Sequence, residues 1–323
     1  MAANSFRSAT RHRHRDLVLS HDHTPRPFAA NAKRRHEPQV QIDVRQEADA
    51  PVRALLVVAH PDDESECAAL VYRITHELGG VVDQIVVTNG EGGHQYSALA
   101  EAYYRLPLNP DRDGQEALAG IRRDELIRAG RILGIRHHYF LDQKDTGPTL
   151  DPSAGLGDWD IATIRRQLQM LLGLEKYDLV LFLMPTPDTH GHHKTVAALA
   201  LEALAGLETA ERPAAVGVQT ARTGTGQPEN FSELEGYPLT RTTSPEPTWS
   251  FDRSTPLACH PAIEYSIVVN WVIAEHKSQG LFQMESGKRS HEHFWLFEAG
   301  GEAGSRRWRE FLQLVGQTAA QEK

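Results

Sequence analysis

From Ala54 onward, short apolar runs alternate with longer amphipathic segments. The runs ALLVVA (Ala54 to Ala59), QIVVT (Gln84 to Thr88), HYFL (His138 to Leu141), LVLFLM (Leu179 to Met184) and AAVGVQT (Ala214 to Thr220) are rich in β-branched and aromatic residues. Short continuous runs of that kind predict strands buried on both faces. The segments between them predict helices near Glu64 to Leu78, Gln115 to Leu133, Ile161 to Leu172 and His193 to Leu204. Two more helices are predicted from about Ile263 to Lys277 and about Ser305 to Thr318. A strand-helix-strand succession predicts an α/β fold, a Rossmann-like, mostly parallel sheet flanked by helices.

Residues 222 to 260 break the rhythm with TGTGQPE and TTSPEPT. Such turn formers predict an irregular or hairpin excursion, expected to cover a site. Residues 1 to 45 hold five histidines and many arginines without a sustained period. They read as a disordered basic, His-rich arm rather than an organelle transit peptide, because no amphipathic helix supports the latter. The remainder, 46 to 323, reads as a single domain, since no repeat or heptad is visible.

Composition narrows the function classes. A 40% hydrophobic content over 323 residues fills a substantial core, and a formal charge of -9 argues against a nucleic-acid partner, which needs a net basic face. No apolar window approaches a spanning helix, so no membrane partner is expected. Two cysteines, Cys67 and Cys259, give no disulfide framework and fit a reducing compartment. A cytoplasmic protein is expected, and a homo-oligomer is compatible with the sequence.

Charge is concentrated where the first strand ends, in AHPDDESECAAL (Ala59 to Leu70). In an open α/β sheet the crevice beyond the carboxyl ends of the strands is where ligands bind. One acid would suffice to cap the next helix, which leaves His60 and the stiffening Pro61 unexplained. The alternative is that His60 and Asp63 bind a metal while Asp62, between them, stays free to act on a water. A catalytic zinc takes about three protein ligands and an open position. The only comparable cluster, PTPDTHGHHKTV (Pro185 to Val196), also follows an apolar strand directly, so the two converge on one crevice. Cys67, one turn after Asp63, has no basic partner and reads as core packing.

AHPDDE, TNGEGG (Thr88 to Gly93), RRDELIRAGRILG (Arg122 to Gly134), HGHHKT (His190 to Thr195) and AEHKSQ (Ala274 to Gln279) together resemble the LmbE-like, or PIG-L-type, zinc-dependent N-acetylglucosamine deacetylases, in order from about residue 54 to 298. The resemblance implies His60, Asp63 and His193 as metal ligands, Asp62 as general base and His190 as the auxiliary active-site histidine. It implies Zn2+ as the cofactor, with another divalent metal such as Fe2+ as the alternative. Arg122 and Asp145 fall where sugar-deacetylating relatives hold substrate hydroxyls. TNGEGG would shape the pocket wall, with Asn89 and Glu91 as contributors, and HKSQ would serve a structural role near the site. The family motif normally ends His-Pro-Asp-His, so His192 stands in the place of an aspartate, which would leave His190 less readily protonated.

The expected activity is hydrolysis of an N-acetyl or other acyl group from an amino sugar or its conjugate by metal-activated water. Asp62 would move the proton, and a protonated His190 would stabilise the tetrahedral intermediate. An amidase acting on another amide, such as a thiol conjugate, is the alternative within enzymes. A non-catalytic metal- or sugar-binding protein is the alternative outside them, and it would have no use for a free Asp62. Specificity is expected in residues 94 to 115 and 222 to 260.

Overall fold

The five apolar runs do become strands: β1 (Arg53–Val58), β2 (Val81–Thr88), β3 (His138–Gln143), β4 (Leu179–Leu183) and β5 (Ala214–Arg222). The computed structural model describes residues 51–108, 111–222, 228–280 and 289–321. The arm expected over residues 1–45 lies outside the described residues. Successive residues of β1 enter opposite cores, as a strand covered on both sides requires. Leu56 and Val58 pack with Leu126 and Leu133 of one helix layer, while Leu55 and Val57 pack with Leu168 and Leu201 of the other. Each such fully buried side chain contributes roughly 1.5–3 kcal/mol.

The first helix layer holds α1 (Ala68–Tyr72), α3 (Arg112–Leu133), α7 (Tyr265–Glu275) and α8 (Gly301–Gln321), and the second holds α5 (Ile161–Leu174) and α6 (Gly191–Ala205). Short α2 (Ala98–Tyr104) and α4 (Ala154–Asp158) are the remaining α-helices among the described residues. The segment predicted as one helix from Glu64 changes pitch twice. It is 3-10 over Asp63–Cys67, α1 over Ala68–Tyr72 and π over Arg73–Glu77.

The sheet runs β3-β2-β1-β4-β5-β9-β6, parallel from β3 to β5. Its far edge is antiparallel: β9 (Arg289–Leu296) pairs with β5, and β6 (Trp249–Asp252) pairs with β9. The sequence pattern had not predicted β9, because RSHEHFWL puts Glu292 into a buried strand. Both carboxylate oxygens of Glu292 are used there, accepting from the backbone N–H groups of Ala69 (2.8 Å) and Leu70 (3.0 Å), with Arg253 Nε at 3.1 Å. The 222–260 excursion contributes β6 and the start of a separate hairpin, β7 (Pro256–Leu257) with β8 (His260–Glu264). Among the described residues no helix is long and apolar enough to cross a membrane.

Strand order reverses between β1 and β4, where the chain leaves β1 towards β2 on one side and β4 towards β5 on the other. A crevice opens at such a reversal. Both charged clusters of the sequence lie at that point.

Asp83 of β2, the second strand from the sheet edge, is fully buried. Its carboxylate accepts from Arg136 Nε (2.9 Å) and Tyr177 Oη (2.7 Å). Burial would raise its pKa, but these two donors outweigh burial and lower it. Asp83→Ala, which removes the carboxylate shared by Arg136 and Tyr177 but leaves Arg136 its Glu175 contact, should cost about 1.5–3 kcal/mol in urea unfolding. Because the folded pKa lies below the unfolded one, the contribution of ionised Asp83 is full above about pH 3.9 and lost as the pH falls through the folded value. The gap between wild type and Asp83→Asn should therefore narrow only in acid. A gap that closes already near neutrality would contradict this.

Candidate metal centre

β1 ends at Val58 and the chain turns sharply, Asp62 N–H donating to the His60 carbonyl at 3.0 Å. The turn folds Asp63 back on its own strand end. Its Oδ2 accepts from Ala59 N–H (3.0 Å) and His60 N–H (2.8 Å), leaving Oδ1 3.2 Å from His193 Nε2. From the neighbouring strand, β4 leads through a turn into α6, and His190 caps that helix by accepting the His192 N–H on Nδ1 at 3.1 Å. His193 thereby faces the β1 turn, with Nε2 3.1 Å from His60 Nδ1, which is itself 3.7 Å from Asp63 Oδ2.

Two donors about 2.0 Å from a tetrahedral ion lie about 3.3 Å apart, so the 3.1 and 3.2 Å separations made by His193 suit a shared metal, and one ligand atom from each of the three residues lies within 4.8 Å of the others. Charge agrees with geometry. Burial would raise Asp63, but the His193 and His60 imidazoles hold its carboxyl well below the usual range. Burial would lower His60, but the Asp145 and Asp63 carboxylates outweigh it and raise its pKa.

A second trio, His60, His190 and His192, also clusters within 4.8 Å. Its nitrogens are already engaged: His190 Nε2 with the Gly147 carbonyl (3.1 Å), and His192 with His60 Nε2 (3.1 Å) and Thr146 Oγ1 (2.9 Å). It also lacks an anion. The fit is therefore to His60, Asp63 and His193.

Asp62 stands beside this trio but outside it. Its Oδ1 accepts from Arg122 Nη2 at 2.8 Å. Buried Arg122 also donates Nη1 to the Gly90 carbonyl at 2.7 Å and contacts the Pro61 carbonyl at 3.4 Å. Asp145 is buried likewise, its Oδ1 accepting from Gly147 N–H at 2.9 Å and its Oδ2 4.0 Å from His60 Nε2. Arg122 and Asp145 both line the cleft, as do Asp62, His190, Gly92 and Gly93. Each, however, is bonded first to the site's own residues.

The surroundings of His190 disfavour its protonated form. Burial, reinforced by the like-charge neighbours His60 and His193, takes its pKa down to about 4. With Nδ1 accepting a backbone N–H, its proton sits on Nε2 and points to Gly147. The His192 ring faces His60 and Thr146, not the ring nitrogens of His190, which both serve backbone partners.

The glycines of TNGEGG acquire a reason that spacing alone did not give. A side chain at Gly90 or Gly93 would strike the Arg122 guanidinium, and one at Gly92 would strike Asp145. The 222–260 excursion does not line the cleft among the described residues, whereas Gln95 and Tyr96 of the other expected specificity segment do. HKSQ closes the back of the site: His276 bonds Glu64, Ser278 Oγ donates to Glu125 Oε2 at 2.5 Å, and Gln279 lines the cleft. Cys67 is buried in the core, where burial pushes its thiol well up.

A mostly parallel α/β sheet thus gathers His60, Asp63 and His193 at its strand-order reversal, with Asp62 beside them, in an arrangement that could hold a divalent metal. Residues 55–204 match the family model described as PIG-L: GlcNAc-PI de-N-acetylase, so this stretch of the chain is similar to the PIG-L, or LmbE-like, domain. It is 27% identical over 186 residues to the probable N-acetyl-alpha-D-glucosaminyl L-malate deacetylase 2 of Bacillus anthracis, covering 57% of this chain and 74% of that protein. It is 43% identical over 96 residues to a 1D-myo-inositol 2-acetamido-2-deoxy-alpha-D-glucopyranoside deacetylase of Streptomyces avermitilis, covering 29% of this chain and only 30% of that relative. In fold it is similar to the N,N'-diacetylchitobiose deacetylase of Pyrococcus horikoshii, with a TM-score of 0.50 at 18% identity over 80% of this chain and 88% of the other.

Gly90 has φ +75°, and an added Cβ would come within 2.7 Å of Arg122 Cζ. Gly90→Ala should cost about 1–2 kcal/mol from backbone conformation alone and push Arg122 off Asp62. Chemical unfolding checks this, and wild-type stability in that variant would contradict it.

Proposed function

We propose that this protein is a metal-dependent deacetylase, with zinc as the metal, that hydrolyses the N-acetyl group of an amino sugar or amino-sugar conjugate. The observation that carries the proposal is the position of Asp62. It is adjacent in sequence to a carboxylate of the donor trio, yet Arg122 holds it on the cleft wall outside that trio. A protein that only bound metal or sugar would have no use for that carboxylate. The sugar substrate class is supported by the two relatives, each named as a deacetylase of an N-acetylated glucosamine conjugate. Residues 46–323 would form the catalytic domain and residues 1–45 an appended arm, and two free cysteines suit a cytoplasmic setting.

An acetamide is a poor electrophile, so its hydrolysis needs an activated water and a place for negative charge on the carbonyl oxygen. His60, Asp63 and His193 would hold a divalent metal, which would supply both as an activator of water and a Lewis acid. Asp62 takes the water's proton on the oxygen that Arg122 leaves available and returns it to the leaving amine. Arg122 orients the base, and Asp145 stands with it at the cleft wall within reach of sugar hydroxyls. His190 presents its Nε2–H beside the trio, where turning it from the Gly147 carbonyl to the substrate oxygen would stabilise developing charge.

The metal-loaded protein should release free acetate from at least one member of a panel of N-acetylated sugars and conjugates, and lose that activity on chelation. Elemental analysis should find one tightly bound divalent metal per chain, with the stoichiometry falling in His60→Ala, His193→Ala. An unchanged metal content there would place the ion elsewhere. Asp62→Asn should keep the metal but lose about 10² to 10⁴ in turnover. Near-normal turnover would show that the base is another residue.

A further inference from the structure

Resting on the metal reading above, we propose that His192 is a positioning residue for the metal ligand His60. Its imidazole accepts the Nε2 proton of His60 and so fixes both the tautomer and the ring plane that present Nδ1 to the metal.

The proton assignments follow from one requirement. If His60 Nδ1 is to ligate, its lone pair must be free, so the ring proton sits on Nε2. The nearest acceptor to that nitrogen is His192 Nδ1 at 3.1 Å, while Asp145 Oδ2 is at 4.0 Å. His192 Nδ1 must then carry the lone pair and its Nε2 the proton, which meets Thr146 Oγ1 at 2.9 Å. The chain His60 to His192 to Thr146 thus runs in one direction, with every buried ring nitrogen satisfied.

A fully buried imidazole with both nitrogens spent on defined partners is not filler, because a leucine would pack there without needing hydrogen bonds. The His192 ring is also fixed laterally by Trp159, with centroids 4.9 Å apart. Asp145 Oδ1 lies 3.6 Å from His192 Nδ1. A carboxylate at position 192 would therefore set two buried anions side by side, and a neutral ring avoids that cost.

Partners of this kind typically change metal affinity by about 10- to 100-fold when removed. The test measures Zn2+ dissociation constants by competition with a chelating dye, together with thermal unfolding of the metal-free proteins, for wild type, His192→Leu, His192→Asn and His60→Ala. His192→Leu keeps the packing but removes the acceptor, and should weaken Zn2+ by about 10- to 100-fold without a matching loss of metal-free stability. His192→Asn, whose Oδ1 takes the place of Nδ1, should restore most of the affinity. Affinity unchanged in His192→Leu but lost in His60→Ala would overturn this inference alone. Full affinity in His60→Ala would sink the metal reading itself. Two ions per chain, one of them lost with His192, would overturn the inference by making His192 a ligand. If the metal-free His192→Leu protein fails to fold, His192→Asn decides: affinity near wild type supports the inference, and a tenfold loss in a stable Asn variant overturns it.

Discussion

The site depends on how Asp63 is held. A carboxylate this buried is costly unless its oxygens are bonded, and the turn after β1 meets that need with two of its own backbone N–H groups, those of Ala59 and His60. Both lie on one side of the carboxylate, so Oδ1 is left facing His193 on the next strand's helix. The same contact sets the turn, brings the His60 ring over the crevice and provides the anion. Without it, β1 would end in an unsatisfied charge.

The surrounding polar groups form a frame around that turn. Arg122 reaches from the middle of α3 to hold Asp62 and the Gly90 and Pro61 carbonyls. Glu64, fully buried, bonds His276 at the end of α7, and this carboxylate raises the histidine pKa against the opposing effect of burial. On the β4 side, Lys194 Nζ donates to the Leu150 (2.9 Å) and Pro187 (2.6 Å) carbonyls, tying α6 to the loops around His190. Each charged group faces a backbone carbonyl or an opposite charge, the condition under which a buried polar frame rigidifies a site.

Much of this was legible in the sequence. Apolar runs revealed β1, β2, β4 and β5 because strands covered on both faces leave no polar period to confuse them, whereas β3, at the sheet edge, is only half-buried. Two charged clusters at two strand ends pointed to one crevice, and the structure brings His60, Asp62, Asp63, His190 and His193 together there. β9 was not legible, because Glu292 looks like a surface residue until Ala69 and Leu70, over 220 positions away, are seen to use its oxygens. Nor was the direction of His192: sequence adjacency suggests His190 as its partner, whereas the first turn of α6 carries its ring to His60. The link between Arg122 and Asp62 was hidden for the same reason, a contact of long range made possible by glycines whose role is to leave space.

A crystal structure of the zinc-loaded protein, with anomalous diffraction recorded at the zinc edge, bears most directly on the site. One metal peak is expected about 2.0–2.2 Å from His60 Nδ1, Asp63 Oδ1 and His193 Nε2, with Asp62 outside the coordination shell. A peak held instead by His60, His190 and His192, or by Asp62 as a ligand, would contradict it.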